Sequence, residues 1–125
     1  RIPSSAASDV YKRQMIFRGG MGAREDASAS PDQMQAHMQK WFTWIGGLRE
    51  QGEVSGDPLQ NGGATIRGSA KTVTDGPYAE LKDLVSGFLI VDAASQDEAN
   101  EKAKGCPIFD DESGSVEVRP VMDFG

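Results

Sequence analysis

Residues 84–93 read LVSGFLIVDA, and the alternation within them decides the fold. Side chains of a strand point in turn to its two faces, so Leu89 and Val91 share one face and Phe88 and Ile90 the other. Both sets are apolar, the pattern of a central strand covered on two sides. One layer of helices covers only one of them. A second copy of the same sheet is the simplest cover for the other, which predicts a two-fold homodimer.

Downstream, SQDEANEKAKG (95–105) opens with a capping box, Ser95 with Glu98 three residues on, and closes at Gly105. Only Ala99 and Ala103 are apolar on this helix, so it must lie close against the sheet while burying little. The chain then reaches SVEVRPVM (115–122), a strand with Val116, Val118 and Met122 on one face and Glu117 and Arg119 on the other. Pro120 cannot donate to a ladder, which favours an edge or the strand's end. Upstream, EVSGDPL (53–59), GGATIRG (62–68) and KTVTDGPY (71–78) are short and rich in Val, Thr and Ile, and Gly, Asn, Asp and Pro break them. They read as a hairpin or meander.

The first helix spans about residues 31–51. Ser30 is its N-cap, Pro31 its first residue and Asp32 a complement to its dipole, and Gly52 ends it. Met34, Met38, Trp41, Ile45 and Leu48 recur at spacings of three and four, which places them on one face. A loop, GGMGAREDASASPD (19–32), leads back to a strand at Met15–Arg18. Residues 1–14, RIPSSAASDVYKRQ, have no apolar centre of the signal-peptide kind and resemble a junction translation. They are expected to form a disordered, non-native leader, apart from an extension of the first strand over residues 10–14. The domain is expected over 15–125.

The order is strand, helix, short strands, long strand, helix, strand. It predicts an α+β ferredoxin-like sandwich with an extra β-hairpin: an antiparallel sheet with two helices on one face. At 125 residues with a net charge of -6, the chain suits one domain and lacks the basic stripe of a nucleic-acid or anionic-membrane binder. Its longest apolar run, FLIV, is far too short to span a bilayer, so no membrane partner is expected. The single cysteine, Cys106, allows no intrachain disulfide and no cysteine-based zinc site, which fits the reducing cytoplasm.

DGPY (75–78) followed by Ala79-Glu80 and Lys82, then GFLIVDA, an acidic capped helix and a terminal SVEVRPV, resembles the YCII-related family, in the branch named for a DGPF motif. The resemblance covers about residues 15–125, with Tyr78 in place of the motif's phenylalanine. It implies a dimeric α+β barrel. It also implies an enzyme that uses a His and Asp pair in a cleft.

His37 is the sole histidine, so any imidazole chemistry near neutral pH must use it. It falls about 60° from the centre of the apolar stripe, at the core margin, on the flank that carries Trp44. The plain reading is a half-exposed helix histidine; the resemblance raises the functional one to equal standing. Asp75 heads a Gly-Pro turn, where its first role is to fix the backbone. A carboxylate so held also suits the orientation of an imidazole. The catalytic candidates are therefore His37 and Asp75, with Tyr78 as an aromatic wall and Trp44 and Asp57 as further substrate-binding candidates.

Several residues are read as structural. Trp41 and Cys106 are assigned to packing. Asp110-Asp111-Glu112 lack the spacing of a calcium loop and read as solvated, and Gly19-Gly20-Met21-Gly22 lacks the lysine and helix start of a phosphate loop. No metal and no cofactor is expected. The expected function is acid–base chemistry, elimination or isomerisation, on a small polar organic molecule. The alternative is a non-catalytic dimeric module that binds a small molecule or a regulatory partner.

Overall fold

The computed structural model describes residues 11–20, 30–60, 62–76 and 83–122. Its sheet centres on two long strands. β1 (Tyr11–Arg18) runs antiparallel to β5 (Val85–Ala93) on one side and β6 (Ser115–Pro120) on the other, and β2 (Val54–Ser55) joins the outer edge of β5. The order β2-β5-β1-β6, with α1 (Pro31–Gln51) after β1 and α2 (Gln96–Lys104) after β5, is the ferredoxin-like α+β arrangement. Between β2 and β5 the chain inserts the expected hairpin, β3 (Ala64–Arg67) with β4 (Thr72–Asp75), as a separate two-stranded ribbon.

Register assigns each side chain its face, because directly paired residues point the same way. Met15 pairs with Leu89 and with Val118, and Phe17 with Gly87 and Val116. These positions face the helices and form the core with Leu48 of α1, Ala103 of α2 and Ile108 of the 3-10 turn Pro107–Asp110. Met15 and Val91 are fully buried. Ala99 and Ala103 are the buried residues of α2, whose small side chains let it lie against the sheet.

The opposite face is less uniformly apolar than the alternation suggests. Ile16, Phe88 and Ile90 form a half-buried strip there, framed by ion pairs between Lys12 and Asp92 at 2.9 Å and between Arg18 and Glu117 at 2.6 Å.

Both helices are capped at their N-termini. Ser30 Oγ accepts from the Gln33 N–H while the Ser30 N–H donates to Gln33 Oε1 at 2.8 Å, a full capping box. At α2 the Glu98 N–H donates to Ser95 Oγ, but the return bond to the Glu98 carboxylate comes from Ala94, one residue before the cap. β1 begins at Tyr11, so the expected extension of the first strand upstream of Met15 is present over residues 11–14, which pair with 90–93 of β5. β6 stops at Pro120, as a residue without an N–H dictates, and Met122 beyond it is 74% exposed rather than on the core face.

Candidate functional site

Between the N-terminal half of α1 and the ends of β1 and β5 lies a cavity of about 230 Å³. Met34, Met38 and Phe42 form its exposed rim on α1, with Trp41 and Ile45 deeper. The opposite wall is the loop after β2, from Gly56 to Leu59, and Ile108 contributes from the 3-10 turn.

Two glycines make this geometry accessible. Gly56 has φ +126°, and a Cβ there would run into the backbone of Phe88. This close approach lets the Asp57 carbonyl accept from the Phe88 N–H at 3.2 Å and the Leu59 N–H donate to the Ser86 carbonyl at 2.9 Å. Gly20 has φ +80°, and a Cβ on it would lie 2.7 Å from Ile108 Cγ1. Its N–H donates to Ser113 Oγ, which in turn donates to Asp111 Oδ1. The acidic run is thus partly structural rather than simply solvated: Asp111 organises its own turn, and Asp110 pairs with Lys40 of α1 at 2.9 Å.

His37 is the buried polar side chain among the described residues, at 7% exposure, and it lines the cavity. The expected half-exposed position is corrected, because helix α1 turns this edge toward the cavity while Met34 and Met38 take the outer rim. Its Nε2 accepts a hydrogen bond from Trp41 Nε1 at 2.9 Å. Burial, helped by the Lys40 charge, holds the imidazole below its usual pKa, against an opposing pull from Asp110. Trp41 lies edge-on to Phe17, with ring centres 5.3 Å apart, and to Trp44 at 5.7 Å. That packing fixes the indole which in turn fixes the imidazole. Trp41 is therefore more than the packing residue its spacing suggests.

The other candidates are placed as follows. Asp57 lines the cavity and is the only carboxylate among the described lining residues. Trp44 does not line it: its indole N–H donates to the Lys102 carbonyl at 3.1 Å and its ring closes the gap between α1 and α2. Asp75 ends β4, exposed, paired with Ala64. It is not among the described lining residues, and no contact between it and His37 occurs among the described residues. Tyr78 lies outside the described residues. Cys106 is buried, caps the 3-10 turn, and has its thiol pushed up to about 12 by burial.

A YCII-related domain matches residues 21–125. The chain belongs to the YCII-related domain family. An uncharacterized protein, R00369, of Rhizobium meliloti (strain 1021) is 45% identical over 60 residues, which are 46% of this chain. The match spans about half of that protein's length, 48%. Among solved structures, the 5-chloro-2-hydroxyhydroquinone dehydrochlorinase of Burkholderia phenoliruptrix AC1100, in complex with 2,5-dihydroxybenzoquinone, is similar at 19% identity and a TM-score of 0.41. That similarity covers 90% of this chain and 95% of the dehydrochlorinase. In this YCII-related chain, no described helix is long and apolar enough to cross a membrane.

Sequence reading finds His37 and Asp57 but not Trp41, Gly20 or Gly56. One signal for Trp41 is present: it follows His37 by four residues, so the two side chains are neighbours on a helix. The glycines carry no such mark, because what they approach lies far away in the chain.

Proposed function

We propose that this chain is a small cytoplasmic, cofactor-free enzyme that binds a small organic molecule in the cavity beside His37 and carries out an elimination or isomerisation there. The observation that supports this most is His37 itself, a nearly buried imidazole in an otherwise apolar wall, hydrogen-bonded by Trp41 and held neutral. Pockets of this kind, apolar with few convergent polar groups and a perturbed titratable residue, are where small ligands bind and react. In this reading Trp41 orients the ring. Asp57 supplies a carboxylate in the cavity lining, and Asp75, at the end of β4, is the second candidate carboxylate. The assembly is a homodimer packed through the Ile16, Phe88 and Ile90 strip, with neither nucleic acid nor membrane as partner.

A thermal-shift screen of a metabolite library against the wild type and His37→Ala, followed by turnover assays on the hits, tests the proposal. A ligand that stabilises the wild type and is turned over only when His37 is present is the expected result. Turnover unaffected by His37→Ala removes this residue from the chemistry. A ligand bound without turnover favours the alternative of a binding module, for which the mostly apolar lining speaks.

A further inference from the structure

The hydrogen bond from Trp41 determines which nitrogen of His37 carries the proton. An indole N–H can only donate, so Nε2, 2.9 Å away, turns its lone pair toward Trp41. A neutral imidazole has one N–H, and with Nε2 the acceptor that N–H sits on Nδ1. Moving the proton to Nε2 would set two N–H groups head to head. Protonating both nitrogens would do the same and add a charge to a ring only 7% exposed. The charged groups acting on the ring, Lys40 and Asp110, are paired with each other at 2.9 Å, so neither supplies it with a close counter-ion. Nδ1 itself has no acceptor among the described residues, in a side chain that lines the cavity.

We propose that His37 is a neutral hydrogen-bond donor, locked by Trp41 as its Nδ1–H tautomer, and that the cavity therefore selects apolar ligands bearing an acceptor oxygen such as a carbonyl. The selection rests on the ligand site proposed above and narrows the residue's role there. A neutral imidazole so placed polarises a carbonyl oxygen by hydrogen bonding. It does not take up a proton, since its one lone pair is committed to Trp41. Proton removal then falls to another group.

The chain has one histidine, so a long-range nitrogen–proton correlation spectrum of the full chain reads its tautomer without assignment. The expected spectrum at pH 7.5 shows a protonated Nδ1 and an unprotonated Nε2. A protonated Nε2, alone or with Nδ1, overturns the proposal. Titration with acetophenone and with ethylbenzene, which differ in the oxygen, tests the selection. Acetophenone is expected to bind about tenfold more tightly or better, the range set by leaving a buried donor unpaired. In His37→Phe that preference is expected to vanish. Equal binding, no binding of either probe, or a preference that survives in His37→Phe overturns the selection. Trp41→Phe serves as a second variant and is expected to mix the tautomers; an unchanged spectrum removes Trp41 from the lock. Failure to find any turnover sinks the catalytic reading above and leaves these outcomes as they stand.

Discussion

Trp41 Nε1 donates to His37 Nε2 at 2.9 Å across one turn of α1. The two residues are four apart, the spacing at which helical side chains meet, so one stretch of sequence builds the contact. Tertiary structure supplies the rest. Phe17 of β1 and Trp44 of α1 hold the indole edge-on, and the imidazole is only 7% exposed. Burial thereby favours the neutral form of the imidazole.

Acid should destabilise the fold through this residue. The unfolded chain takes up a proton on His37 near its ordinary value of 6.5, whereas the folded chain does so only at lower pH. Between those two values the unfolded state binds more protons, so stability rises with pH across the window and is lost as pH falls through it. Urea midpoints for the wild type and His37→Phe at pH 7.5 and pH 5 check this. The gap between the two proteins is expected to change in favour of the variant at pH 5, and a constant gap rejects the prediction.

Trp41→Phe keeps an aromatic ring against Phe17 and removes the N–H. Loss of one partly buried hydrogen bond is expected to cost about 1 kcal/mol of stability. The His37 titration should move up toward its ordinary value as Nε2 becomes free to accept a proton. Urea unfolding and the pH dependence of the lone histidine's ring-proton shifts read the two effects separately. A titration unmoved by the substitution would show that burial alone sets the protonation state.

The sheet was legible because its information is local. Alternation over 84–93 marks the central strand, the Ser30–Pro31 start and Gly52 stop bound α1, and Pro120 ends β6. The cavity was legible only in part. His37 stands out as the sole histidine, but a helical wheel measures angle about the axis and not how far the helix lifts off the sheet. The wheel therefore put Met34 and Met38 in the core and His37 at its margin, while in the fold the methionines form the rim and His37 is buried. Trp44 sits at the core margin, as its place on the wheel suggests, but the α2 carbonyl that takes its N–H lies far along the chain and leaves no local mark. Pairs such as Gly20 with Ile108, or Lys40 with Asp110, depend on chain-distant approach and leave no periodic trace.

Two glycine substitutions should move stability in opposite directions. Gly46 lies exposed within α1, and a Cβ there meets nothing within 4 Å. Gly46→Ala is expected to stabilise by roughly 0.5–1 kcal/mol, the usual difference between these residues in a helix. Gly20→Ala places a Cβ against Ile108 at φ +80° and is expected to cost more than about 1 kcal/mol. Thermal and urea unfolding of both variants check the signs. A neutral Gly20→Ala would mean that the 3-10 turn carrying Ile108 yields readily.

Cys106 should be inert in the native state. Burial pushes its thiol up to about 12, and Sγ accepts from the Ile108 N–H at 3.4 Å. At pH 8 the reactive thiolate is then roughly one part in ten thousand. Iodoacetamide labelling followed by mass spectrometry is expected to be negligible without denaturant and to become complete as urea unfolds the chain. Rapid stoichiometric labelling of the folded protein would contradict it.

The strip of Ile16, Phe88 and Ile90 supports a test of assembly. Ile90 pairs with Gln14, and Ile16 pairs with Phe88, so the three lie on the face opposite the one that the described helices cover. Their ion-paired frame, Lys12 with Asp92 and Arg18 with Glu117, would rim an interface built around an apolar centre, the arrangement usual where two chains meet. A lysine at position 90 would bring two ammonium groups toward a two-fold axis and bury at least one without a partner, which is strongly unfavourable. Sedimentation velocity is therefore expected to give twice the chain mass for the wild type and the single chain mass for Ile90→Lys, with circular dichroism unchanged. A wild type that sediments as a monomer, or a variant that still pairs, would show that this face is not the seam.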